Sequence, residues 1–246
     1  MNVQHLPNQN RQKLAYEYIA GAQPTVVFLG GYRSDMTGTK ACWLAEFCQS
    51  NGHAYLRLDY SGHGQSEGQF EDGTIGVWAD DAFKVIEHAT DGPLVLVGSS
   101  MGGWIMLLLA SRLRDRLAGL IGIAAAPDFT RDLMWPELSE QQQNKLKQEG
   151  MILLPSEYEE EDVPLKYAFI QEGSENCVLD APLQIECPVR LLHGQLDEQV
   201  PWQTSLNIAE KVTGNDVTVK LFKQGDHRLS EENYLREIGF AIDSVV

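Results

Sequence analysis

The segment Gly98-Ser99-Ser100-Met101-Gly102-Gly103 fits the pattern G-x-S-x-G. A short β-branched apolar run, Leu94 to Val97, stands before it, and an apolar helical run extends after it through Leu109. That context predicts a strand that reverses sharply into a helix, with a serine at the tip. Side chains at positions 98 and 102 would collide across such a turn. Ser100 is expected to sit strained there, its hydroxyl exposed beside a helix N-terminus that favours negative charge.

The rest of the chain repeats the same alternation. Leu14 to Ile19, Thr25 to Leu29, Ala54 to Tyr60, Leu117 to Ala125, Val189 to Leu192 and Val217 to Phe222 read as strands. Thr39 to Asn51, Thr74 to Ala89, Ser100 to Arg112, Gln203 to Val212 and Glu231 to Ile242 read as helices. Strands apolar on both faces, alternating with amphipathic helices, predict an α/β fold: a mostly parallel sheet with helices on both sides. All 246 residues fit one domain. The long stretch Pro127 to Pro188 breaks the rhythm. It shows no convincing strand and several helical stretches, including Glu137 to Glu149 and Val163 to Glu172, so it is expected to be a helical lid over about residues 128–186. Its acidic run, Glu157 to Asp162, reads as a solvated surface.

Composition narrows the partners. With 35 acidic against 19 basic residues the formal charge is -16, which disfavours nucleic acid and anionic membrane surfaces. The longest unbroken apolar stretch, Trp104 to Ala110, is far short of the ~20 residues of a membrane span. Cys42, Cys48, Cys177 and Cys187 form neither a zinc-ligand pattern nor a disulfide framework, and read as reduced thiols. No dinucleotide fingerprint, phosphate loop or metal-ligand spacing occurs, so no cofactor or metal is expected.

A serine hydroxyl is a poor nucleophile without a base, and the base needs an orienting acid. After a strand–Ser–helix turn the expected chain order is serine, acid, histidine. Asp197, in His193-Gly194-Gln195-Leu196-Asp197, follows one strand, and His227, in Gln224-Gly225-Asp226-His227, follows the last. Ser100, Asp197 and His227 are therefore the candidate catalytic residues. Asp128 competes for the role of acid. His193 and His63 read as structural histidines, Asp226 as a turn former, and His5, His53 and His88 as surface residues. The Met101 N–H and the Tyr32 N–H are the expected oxyanion donors, with Gly31 as the alternative to Tyr32. The apolar residues Phe129, Leu133, Met134 and Trp135, with Met151 to Leu154, form either an acyl pocket or the core of the lid itself.

These motifs, with Asp59-Tyr60-Ser61-Gly62-His63-Gly64-Gln65-Ser66, resemble the α/β-hydrolase superfamily. A closer resemblance, to its mitochondrial palmitoyl-protein thioesterase and acyl-glucuronide esterase branch, is carried by further segments. They are Gly31-Tyr32-x-Ser34-x-Met36-x-Gly38-Thr39-Lys40-Ala41, Gly98 to Trp104, Leu191 to Gly194, Val200-Pro201-Trp202 and Asp226-His227-Arg228. The resemblance implies a serine hydrolase acting on small-molecule or protein-linked acyl esters or thioesters, with the same three residues in the same roles. A lysophospholipase-like esterase, an amidase and a non-catalytic binding protein are the alternatives. His63 stands where the branch has an apolar residue. The chain opens close to its first strand without a transit segment, from which a cytoplasmic location is expected.

Overall fold

The structure is a computed structural model, which describes residues 2–155 and 162–246. The chain runs β1 (Gln4–Pro7), β2 (Lys13–Ile19), β3 (Ala22–Leu29), α1 (Thr39–Asn51), β4 (His53–Leu58), α2 (Ile75–Ala89), β5 (Leu94–Ser99), α3 (Met101–Arg112) and β6 (Leu117–Ile123). It continues with α4 (Trp135–Glu137), α5 (Glu140–Glu149), β7 (Met151–Leu154), β8 (Val163–Lys166), α6 (Tyr167–Glu175), β9 (Val189–Gly194), α7 (Gln203–Lys211), β10 (Val217–Phe222) and α8 (Glu232–Asp243).

Eight strands form one sheet in the order β1-β2-β4-β3-β5-β6-β9-β10. β1 and β2 join antiparallel at one edge, and β4 through β10 run parallel. The central strands are apolar on both faces because both faces are covered. Val27 and Leu29 of β3 pack with Trp78 of α2 and Trp104 of α3, while Val26 and Phe28 pack with Leu44 of α1 and Ile238 of α8. The parallel strands end along one edge, where the loops after β3, β5, β9 and β10 gather the site. Among the described residues no helix is long and apolar enough to cross a membrane, and all four cysteines are free.

The insertion between β6 and β9 departs from the expected all-helical form. β7 and β8 pair as an antiparallel hairpin, Met151 opposite Lys166 and Leu154 opposite Val163. Four-residue strands carry too short a pattern to separate from a helix, and Pro164, which has no N–H to donate, sits in a two-stranded sheet that can tolerate it. The predicted Val163 to Glu172 helix therefore begins only at Tyr167. The preceding helix begins later than expected because Ser139 caps it: Ser139 Oγ accepts the Gln142 N–H and the Gln142 side chain reaches back to the Ser139 N–H. Residues 157–161 of the acidic run lie outside the described residues; Asp162 is exposed.

Candidate active site

β5 delivers Ser100 at φ 54° and ψ -121°, a conformation that costs a residue with a Cβ free energy and persists only where the surroundings impose it. Here they do. The Ser100 N–H donates to Ile123 O at 2.9 Å, and Ser100 O accepts from the Gly103 and Ala126 N–H groups at 2.8 and 3.0 Å. A Cβ at position 98 would lie 2.4 Å from Gly102 O, and one at position 102 would lie 2.1 Å from Leu29 O. The tight reversal therefore requires glycine at both places.

The loops after β9 and β10 bring the other two candidates to that serine. His227 Nε2 lies 3.0 Å from Ser100 Oγ, and His227 Nδ1 lies 2.7 Å from Asp197 Oδ2. Nδ1 faces a carboxylate and so carries the hydrogen, which leaves the Nε2 lone pair to accept the serine hydroxyl. The loops brace each other: the Leu196 N–H donates to Gly225 O at 2.9 Å. Lys40 Nζ of α1 donates to Arg228 O at 2.5 Å, next to His227. Burial pushes the Lys40 ammonium down to about 8, against the opposing pull of Asp226. Asp226 Oδ1 accepts the Leu229 N–H at 2.9 Å, the turn-forming contact expected of it.

The Asp197 side chain is fully buried. Burial alone would raise its pKa, but hydrogen bonds from His193, His227 and the Val200 N–H outweigh it and hold the carboxyl well below the usual carboxylate range. His193 was expected to be structural. It is wholly buried, yet its Nε2 lies 3.0 Å from Asp197 Oδ2, so it belongs to the site. The spacing of His193 and Asp197, four residues apart at the end of one strand, was the available signal.

The loop after β3 approaches the serine from the other side. A Cβ at position 31 would stand 3.3 Å from Ser100 Cβ. Tyr60 Oη donates to Gly30 O at 3.2 Å, and buried Asp59 accepts the Met36 N–H at 2.7 Å, which together fasten both ends of the loop. The Met101 N–H is the first of α3, where a helix offers no internal acceptor. The Tyr32 N–H donates to no backbone acceptor among the described residues.

The Tyr32 ring stacks on Phe169 of α6 at 5.5 Å and meets Phe70 and Phe129 edge-on at 4.9 and 6.0 Å. Tyr32, Phe70, Trp78, Leu165 and Phe169 line a narrow, nearly closed cleft that Glu71 and Lys166 also border. Of the apolar residues read as either an acyl pocket or the core of the lid, Phe129 joins this aromatic cluster and Ile152 is buried, while Met151 and Leu153 are exposed. Leu133, Met134, Trp135 and Leu154 are half-buried. Phe70, Trp78 and Phe169 were not read as site residues because only the fold sets Phe169, some ninety residues further along the chain, beside the other two.

The rivals lie elsewhere. Asp128 is buried and accepts the Val178 and Leu179 N–H groups at 2.8 and 3.0 Å, so it ties the two ends of the insertion together. His63 packs against Tyr60, Phe70 and Trp78, its Nδ1 3.3 Å from Ser61 O, and burial pushes its pKa down to about 4. His5 and His88 are exposed, and His53 is half-buried in β4. Among the described residues no group of three or more metal-ligating side chains gathers.

The sequence profile of the α/β hydrolase fold matches residues 24–150. The mitochondrial palmitoyl-protein thioesterase ABHD10 of Homo sapiens is 41% identical over 247 residues, which span 100% of this chain and 79% of that protein. The structure of α/β hydrolase domain-containing protein 10 from mouse superposes with a TM-score of 0.91 at 40% identity, covering 99% of this chain and 98% of that one. A putative hydrolase from Agrobacterium vitis S4 superposes with a TM-score of 0.94 at 38% identity, covering 100% and 98%. The curated relatives are named as mitochondrial proteins, which overturns the expectation of a cytoplasmic location; the N-terminal residues of this chain are no guide to it. Similar to these thioesterases along its whole length, the chain belongs to the α/β hydrolase fold family.

Proposed function

We propose that this hydrolase cleaves acyl thioesters and esters through an acyl-enzyme on Ser100, with His227 as the base and Asp197 as its orienting acid. The observation that carries the reading is the continuous chain of hydrogen bonds from Ser100 Oγ through both nitrogens of His227 to Asp197. His227 Nε2 takes the hydroxyl proton as Ser100 Oγ bonds to the acyl carbon. The same proton passes to the departing thiolate or alkoxide as the carbon–sulfur or carbon–oxygen bond breaks. Water then attacks the acyl-enzyme with His227 again the base, and the acid leaves. Asp197 fixes the tautomer that presents the Nε2 lone pair to serine and stabilises the imidazolium as it forms.

The Met101 and Tyr32 N–H groups are assigned to the oxyanion, each worth ~3–4 kcal/mol in the transition state. The insertion over about residues 128–186 is assigned as a lid on a single-domain hydrolase, its Phe129 and Phe169 closing over Tyr32. The similarity to palmitoyl-protein thioesterases favours a long acyl chain on a protein or small-molecule thiol. A fluorophosphonate probe tests the assignment. Wild type should label at one site and Ser100→Ala should not; an unlabelled wild type, or equal labelling of both, would overturn it.

A further inference from the structure

The carboxylate of Asp197 serves two imidazoles. Its Oδ2 lies 2.7 Å from His227 Nδ1 and 3.0 Å from His193 Nε2, while Oδ1 accepts the Gln199 and Val200 N–H groups at 2.9 and 2.8 Å. His193 Nε2 also faces the Val200 carbonyl oxygen at 3.1 Å. Both neighbours of that nitrogen are acceptors, so it carries the hydrogen. In the neutral imidazole His193 Nδ1 is then the lone-pair nitrogen, and it lies 2.8 Å from Ser205 Oγ of α7, a buried hydroxyl that donates to it. The direction of every bond in the chain Ser205–His193–Asp197–His227 follows from this.

We propose that His193, held in one tautomer by Ser205, is a positioning residue for the Asp197–His227 pair. A buried histidine that merely joined β9 to α7 would need only the Ser205 and Val200 contacts. The third contact falls on the same carboxylate oxygen that His227 uses. Two donors on each oxygen stop the carboxylate turning about its own axis, so Oδ2 stays on the line to His227. The second imidazole also draws charge from Oδ2. Asp197 is thereby a weaker base, which keeps the shared proton on His227 and limits how far the imidazolium is stabilised in the resting enzyme.

This inference rests on the triad reading above. The test is the rate of fluorophosphonate labelling against pH for wild type, His193→Ala, His193→Gln and Ser205→Ala, with kcat and KM on a p-nitrophenyl ester and a melting curve for each. Asp226 and Arg228 on the His227 loop, and Lys40 of α1, which donates to Arg228 O, stay unchanged in these variants. His193→Ala should label about 10- to 100-fold more slowly and lose kcat rather than gain KM, as a misaligned base does. Its acid limb should move about half a unit to higher pH, because Asp197 stripped of one donor stabilises the imidazolium more strongly. His193→Gln, whose amide can again donate near the same place, should recover much of the rate and the limb. Ser205→Ala should move the limb the same way by less.

A His193→Ala protein with the wild-type rate and limb overturns the inference and leaves the triad standing. So does a slower protein whose limb is unmoved and which glutamine does not restore. Should the alanine variant fail to fold, a Ser205→Ala protein with the wild-type rate and limb would overturn it equally. A wild type that does not label at all overturns the triad reading and this inference together.

Discussion

Glu172, on α6 of the insertion, accepts the Gly76 N–H at the start of α2 with an Oε1 distance of 2.9 Å. The contact crosses from the insertion to the body of the molecule, and a carboxylate is well placed at a helix N-terminus. The same oxygen accepts from Asn176 Nδ2 at 2.8 Å, and Trp104 Nε1 donates to Asn176 O at 3.0 Å, so one cluster fastens α6 to both α2 and α3.

Removing that carboxylate should loosen the insertion. Glu172→Ala strands the donors and is expected to cost about 1–3 kcal/mol in chemical denaturation. Burial, opposed by hydrogen bonds from the Gly76 N–H and its neighbours, raises the Glu172 pKa. A carboxyl raised on folding contributes stability in its protonated form, fully present below the unfolded value of ~4.3 and lost as pH rises through the folded value. Glu172→Gln keeps the acceptor without the charge. Its melting temperature should therefore fall less than that of wild type between pH 4.5 and neutrality, and an identical pH profile for the two proteins would refute the account.

Asp197 behaves in the opposite sense. Its pKa is depressed, so its stability is present above the unfolded value of ~3.9 and is lost only as pH falls toward the folded one. Asp197→Asn should remove that acid-range dependence. It should also lower kcat by about 10⁴-fold, because an amide no longer imposes the Nδ1–H tautomer on His227. Melting curves below pH 4 and steady-state kinetics at neutral pH check the two effects separately.

Gly102→Ala should be far worse than a helix propensity scale suggests. The new Cβ would stand 2.1 Å from the Leu29 carbonyl oxygen, in backbone that cannot yield without moving β3 and the Gly30–Gly31 loop. We expect a loss of about 3 kcal/mol or more, together with loss of labelling at Ser100. A stable, fully reactive variant would show that the turn has slack.

The aromatic cleft beside Tyr32 sets an expectation for substrates. If it receives part of the acyl group, kcat/KM must depend on acyl length, and Phe169→Leu must change that dependence more than it changes the rate on acetyl esters. A profile flat from acetyl to palmitoyl thioesters would remove the cleft from the account.

The amino-acid sequence alone determined the α/β alternation, the glycines of the Ser100 turn and the chain order of Ser100, Asp197 and His227. Each of these is a local demand: apolar residues on both faces of a covered strand, no room for a Cβ, a polar residue just past a strand end. Tertiary structure decided what depends on side-chain direction between distant segments. It sent Asp128 to Val178 and Leu179 at the base of the insertion, and it turned His193 onto Asp197. It also folded Met151–Leu154 and Val163–Lys166 into a hairpin, and it drew Phe70, Trp78 and Phe169 around Tyr32. Periodicity carries no record of such encounters, because a carboxylate or a ring meets its partner only once the sheet has brought the loops to one edge.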